Sequence, residues 1–125
     1  MNSIEWINKK SWADLNLKNI EVSFTEIQIT LNNDDEQLIH LNCKNYIGFE
    51  YIGHWDESII KKIYAEESGD LIDSSLNKIR RFYSEPVICG GGEKKITDKW
   101  IQLTIELIDG ICIKVACQYI IVKNN

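Results

Sequence analysis

The stretch "KWIQLTIELIDGICIKVACQYIIVK", Lys99 to Lys123, decides how this chain must fold. Ile101, Leu103, Ile105 and Leu107 fall at every second position with Gln102, Thr104 and Glu106 between them, the period of a strand with one buried face. Asp109 and Gly110 then supply the positive φ angles of a tight turn, and Ile111, Ile113, Val115 and Cys117 carry the pattern back. The stretch predicts a long antiparallel hairpin. Its opposite face, with Trp100, Thr104, Lys114, Ala116 and Gln118, is only half polar, so another element should cover part of it.

Upstream, "NIEVSFTEIQITL" places Ile20, Val22 and Phe24 on even positions and Ile27, Ile29 and Leu31 on odd ones. That slip of parity near Thr25 and Glu26 demands either a bulged long strand or two short ones. "NNDDE", Asn32 to Glu36, is rich in residues that bond their own backbone in turns, so it closes a hairpin. The return strand, "QLIHLNC", sets Ile39, Leu41 and Cys43 on one side and Leu38, His40 and Asn42 on the other, and the alternation resumes as Ile47, Phe49 and Tyr51. Lys44 and Asn45 mark a turn or a bend between the two runs, and Gly48 marks a bulge or a close backbone approach. "SIIKKIYAEES" fits both a strand and one face of a short helix; its β-branched residues favour the strand.

The clear helix is "GDLIDSSLNKIRRFY". Ile72, Leu76, Ile79 and Tyr83 recur at three- and four-residue spacing, with Leu71 and Phe82 widening the stripe. Asp70 and Asp73 stand at its positive end and Lys78, Arg80 and Arg81 at its negative end, while Pro86 stops it. "CGGGEKKITD", Cys89 to Asp98, reads as a flexible loop. Strands, then one helix, then a hairpin is the α+β ordering. The expected architecture is an antiparallel curved sheet of five to seven strands packed on one main helix, in a single domain spanning residues 1–125.

At 125 residues the chain has the length of one ordinary domain, and 44% apolar with 26% charged residues are soluble globular proportions. A net charge of −5 disfavours nucleic acid phosphates and anionic lipid, and would attract a basic partner. The N-terminus has no secretory apolar core, and Glu106, Asp109 and Lys114 break the late apolar runs well short of the roughly 20 residues that span a bilayer. Cys43, Cys89, Cys112 and Cys117 form no C-x-x-C and no regular framework, so they read as reduced thiols, three of them on strands, in a cytoplasmic protein.

Candidate chemistry concentrates in "YIGHWDESII", Tyr51 to Ile60, where His54, Asp56 and Glu57 could do acid and base work. Adjacent side chains diverge, however, and the corner reads more simply as a Gly53 turn with Trp55 plugging the core edge. His40, Cys43 and His54 do not make a metal site, since His40 and Cys43 face opposite sides of one strand and no H-x-x-x-H or paired C-x-x-C exists. The triple glycine lacks both the following G-K-S/T and the helix that a phosphate loop needs. No catalytic residue, cofactor or metal is therefore assigned. Trp12 and Trp55, among polar neighbours, are candidate interface anchors.

The runs "GFEYIGHWDESII", "GGGEKKITDKW" and "LTIELIDGICIKVAC" resemble those of small bacterial single-domain proteins, some of them similar to the immunity proteins encoded beside polymorphic toxins. The likeness spans about Asn19 to Val122 and carries no catalytic motif. It implies a stoichiometric binder that blocks a toxin in the producing cell. The expected function is thus that of a non-enzymatic interaction protein with a basic protein partner, met by Asp34, Asp35, Glu36, Trp55, Asp56, Glu66, Glu67 and Asp70. The alternative is a small enzyme or ligand-binding domain with a pocket between sheet and helix, rimmed by His40, Glu50, His54 and Asp56. A homodimer through the exposed edge of the final hairpin is a further expectation.

Overall fold

The computed structural model describes residues 3–53, 58–82, 87–89, 92–94 and 99–124. Among them are two helices, α1 (Ser3–Lys9) and α2 (Asp70–Phe82). The strands are β1 (Asn16–Val22), β2 (Glu26–Asn32), β3 (Leu38–Lys44), β4 (Gly48–Glu50), β5 (Ile60–Glu66), β6 (Val87–Cys89), β7 (Gly92–Lys94), β8 (Ile101–Leu107), β9 (Cys112–Cys117) and β10 (Tyr119–Asn124). Eight of them divide between two four-stranded antiparallel sheets, β1-β2-β3-β10 and β4-β9-β8-β5, while β6 and β7 pair with each other. The chain is α+β and mostly sheet.

This differs from one curved sheet closed by one main helix. Ile27, Ile29, Leu31, Leu41, Cys43 and Ile120 of the first sheet share one buried cluster with Ile60, Ile63, Leu103, Ile105, Leu107, Ile113, Val115 and Cys117 of the second. The main cover of each apolar sheet face is thus the other sheet. Helix α2 lies on the opposite side of the second sheet, where Leu71 and Ile72 pack with Trp100 and Ala116. That is the half-polar face of the final hairpin, covered as its composition required. Ala116 is fully buried, and a Cβ on Gly48 would collide with Ser75 Oγ and stand 3.2 Å from Leu71 Cγ. Small residues at both positions let the helix approach, and this is the close contact that Gly48 signalled.

The two sheets exchange strands at a corner. The path from β3 to β4 turns at Asn45, whose φ is 56°, an angle that asparagine tolerates better than most residues. The path from β9 to β10 turns beside it at Gln118. Main-chain bonds run through the bend, from Gln118 N to Lys44 O at 3.1 Å and from Ile47 N to Ala116 O at 2.8 Å. Corners of this kind, where strands switch sheets, join sheets packed across one another. On the other side Asn16 bridges Ile59, with Leu17 N donating to Ser58 O at 2.7 Å. Main-chain hydrogen bonds therefore tie the sheets together at both places.

Several local features resolve ambiguities in the sequence. The parity slip near Thr25 is a hairpin turn between two short strands: Ser23 N donates to Glu26 O at 2.9 Å, and Ser23 Oγ accepts from Glu26 N at 3.1 Å. Phe24 accordingly stands at the tip, 77% exposed. The "SIIKKIYAEES" run is strand β5, whose register with β8 shifts between Ile60 and Lys62, so Ile60 and Ile63 both face inward at a helix-like spacing. In the final hairpin only Gly110 takes a positive φ, 93°; Asp109 instead accepts from Ile111 N through Oδ1 at 3.1 Å. Part of the glycine-rich loop pairs as β6 and β7, with Val87 opposite Lys94 and Cys89 opposite Gly92, so all four cysteines lie on strands.

Helix α1 was not foreseen from the sequence. It fills the side of the sandwich next to β5, with Ile7 fully buried. Asn8 binds the main chain of Ala65 twice, Nδ2 donating to the carbonyl at 3.0 Å and Oδ1 accepting the N–H at 2.8 Å. A single side chain thereby takes the place of a neighbouring strand on the β5 edge. Trp12 is core rather than an interface anchor: it is 2% exposed, its Nε1 donates to Ile7 O at 2.8 Å, and it meets Trp6 edge to face. The Lys10 ammonium lies over the ring, 5.4 Å from its centroid, while Ser11 and Ala13 on either side of it are exposed.

Candidate interaction surface

The β2–β3 turn is held by one asparagine. Asn33 Oδ1 accepts from Asp35 N at 2.9 Å and Gln37 N at 3.0 Å, while Glu36 N donates to Asn33 O at 3.0 Å. Glu36 sits at a φ of 59° to complete the loop. The result is an ordered knuckle from which Asp34, Asp35 and Glu36 all project as exposed side chains. None of the three takes part in the ion pairs found among the described residues, which join Lys44 to Glu26, Lys61 and Lys62 to Glu106, and Lys114 to Asp70. Three adjacent carboxylates on a fixed turn repel one another, and a cation brought to them relieves that repulsion.

The second acidic group stands at the junction of β5 and α2. Glu66 and Glu67 are exposed there. Asp70 is committed elsewhere. Its Oδ1 accepts from Gln102 Nε2 at 2.9 Å and its Oδ2 from Lys114 Nζ at 3.0 Å. These two bonds, Gln102 first, hold its carboxyl down at about 2, and the same contact raises the Lys114 ammonium above its ordinary value. Gln102 is itself 5% exposed, and its Oε1 accepts from both Leu71 N at 2.9 Å and Ile72 N at 3.2 Å. A strand residue thus satisfies two of the four orphan N–H groups that every helix N-terminus presents. Asp70 belongs to this clasp more than to a docking face.

The residues proposed for a pocket are dispersed. His40 lies on the outer face of the first sheet, its Nδ1 3.0 Å from Thr30 Oγ1 and 3.2 Å from Gln28 Nε2. Glu50 is exposed on β4 of the second sheet. His54, Trp55, Asp56 and Glu57, the corner with the candidate acid and base, lie outside the described residues. Among the described residues no three of His, Cys, Asp and Glu gather to hold a metal ion. Cys43, Cys112 and Cys117 stand as free thiols. Cys43 and Cys117 meet inside the corner, and the neighbouring sulfur together with full burial pushes the Cys43 thiol well above its ordinary value.

A cleft of about 420 Å³ opens between β1 and β4, lined by Leu17, Ile20, Val22, Phe49 and Tyr51 with Lys18 and Asn19. Neither His40 nor Glu50 lines it. Sequence reasoning missed it because it joins residues about thirty positions apart, from elements that do not pair. No helix among the described residues is long and apolar enough to cross a membrane.

What fold and surface define is a class: a small α+β domain of two antiparallel sheets with acidic side chains on ordered connections. No protein-family model, curated protein or solved structure matches the chain.

Proposed function

We propose that this chain is a non-enzymatic interaction protein that binds a basic protein partner, in the manner of an immunity protein that occupies a toxin. The observation that carries the reading is the Asn33-braced knuckle. It holds Asp34, Asp35 and Glu36 exposed and outside any described ion pair. A surface fixed before binding loses little conformational freedom when a partner docks, and a local excess of negative charge steers a cationic partner toward it. Glu66 and Glu67 extend the acidic character to a second connection. The overall charge of −5 acts in the same direction. The working compartment on this reading is the cytoplasm of the producing bacterium.

The test is affinity capture from extract of the native cell with the wild-type chain and with the Asp34→Lys/Asp35→Lys variant side by side. The reading requires a protein of basic charge retained by the first and depleted from the second. Equal recovery of every protein on both would remove the knuckle from the account.

A second reading rests on the apolar cleft between β1 and β4, whose volume suits a small ligand. A Phe49→Trp variant would report it through a fluorescence change on titration with apolar small molecules. A flat response across a varied collection would set this reading aside.

A further inference from the structure

Both strands of the final hairpin are paired on their outer sides among the described residues, β8 with β5 and β9, over Lys114 to Ala116, with β4. The edge it was expected to expose lies one strand further on. β10 pairs with β3 on one side, and among the described residues no strand pairs with its other side. The β5 edge, by contrast, is occupied at Ala65 by Asn8, and β1 is bridged at Asn16 to Ile59, the residue before β5. Among the described residues α1 reaches β10 as well as β5; an edge with no strand on it presents backbone N–H and C=O groups to an extended chain, and natural proteins usually blunt such edges with charge. Here the outward residues of β10 are Tyr119, 58% exposed, Ile121, 42% exposed, and Lys123. Two of the three are large and apolar.

We propose that β10 is a self-association strand, pairing antiparallel with β10 of a second copy about a two-fold axis through Ile121. The choice of a second copy rests on how the strand reads against itself. About that axis Ile121 meets Ile121, the inward-facing Ile120 meets Val122, and Tyr119 meets Lys123 of the second copy. Each isoleucine and valine thereby finds an aliphatic partner, and each exposed Lys123 ammonium lies beside the Tyr119 ring of the other copy, a favourable pairing. Moving the axis to Val122 would set Lys123 against Ile121 and Asn124 against Ile120; moving it to Ile120 would set Val122 against Gln118. The Ile121 register is the one in which Ile120, Ile121 and Val122 face only one another. Such a contact is isologous and closes as a dimer, because the same strand serves both copies. It joins the first sheets of the two copies into one of eight strands and leaves Asp34, Asp35 and Glu36 outside the paired segment, so it stands independently of the basic-partner reading.

The experiment is light scattering across a concentration series, with far-UV circular dichroism as the check on folding. The wild-type chain is expected to approach twice its 14.5 kDa mass as concentration rises. Ile121→Lys puts like charges together on the axis and is expected to hold the mass at that of one chain with an unchanged spectrum. Ile121→Cys places two thiols across the axis, so mild oxidation should yield a disulfide-linked dimer, whereas Tyr51→Cys, exposed on another part of the surface, should not. A wild-type mass of one chain at every concentration overturns the proposal. So does a dimer that survives Ile121→Lys, or equal cross-linking of the two cysteine variants.

Discussion

Replacing Gln102 with leucine should loosen α2 from the second sheet without disturbing the packing between the sheets. The residue is 5% exposed, and its Oε1 serves two buried main-chain donors, Leu71 N and Ile72 N. Orphaning one buried donor costs about 1 to 3 kcal/mol. Two donors sharing one oxygen set a gross loss of about 2 to 4 kcal/mol, from which the added apolar burial of leucine returns about 1. The expected net loss is about 2 kcal/mol, a large share of the roughly 5 to 15 kcal/mol that holds a domain together. Equilibrium unfolding in urea reports it, followed by tryptophan fluorescence because Trp100 packs against Leu71 and Ile72. Gln102→Glu should retain the acceptor but repel Asp70, and Asp70→Asn added to it should restore the clasp. A loss below about 0.5 kcal/mol for leucine, or no coupling between the two polar substitutions, would refute the reasoning.

Three further outcomes follow from the same geometry. Gly48→Ala drives a Cβ into Ser75 Oγ and close to Leu71, so unfolding experiments should show a loss of about 1 to 3 kcal/mol, partly recovered by Ser75→Gly. The Asp70 carboxyl has its folded value depressed to about 2, so its contribution is complete at neutral pH and is lost as pH falls from its unfolded range near 3.8 toward 2. The group is exposed, which limits the effect to about 0.5 kcal/mol; stability measured against pH should lose that component in Asp70→Asn. Asn8→Ala removes both bonds to the Ala65 main chain, and should cost about 1 to 2 kcal/mol while speeding hydrogen exchange at the Ala65 amide.

Strands with one buried face were legible because alternation is a local property. Ile101 to Cys117 wrote out the hairpin directly, and its half-polar reverse face told of the cover that α2 provides. What alternation cannot say is which apolar face meets which. Two sheets facing one another bury the same pattern as one sheet under a helix, and only the bend at Asn45 and Gln118 separates the cases. Helix α1 escaped notice because in its seven residues Ile7 is the side chain buried completely. The clasp at Gln102 was equally silent, since a glutamine on a strand reads as solvent-facing until a helix is laid over it. The acidic knuckle was visible as "NNDDE", but that Asn33 braces it came from the structure. Asp70 looked like its equal in sequence and differs from it through Lys114 and Gln102, which are 44 and 32 residues away along the chain.

The central claim is that charge at the knuckle guides a basic partner, and the salt dependence of its association rate tests that most directly. Stopped-flow or biosensor measurement of the captured partner should show fast binding to the wild-type chain at low salt, slowing as salt rises. The Asp34→Lys/Asp35→Lys variant should associate slowly throughout, with a flattened salt response. Identical rates for the two chains at low ionic strength would contradict the account.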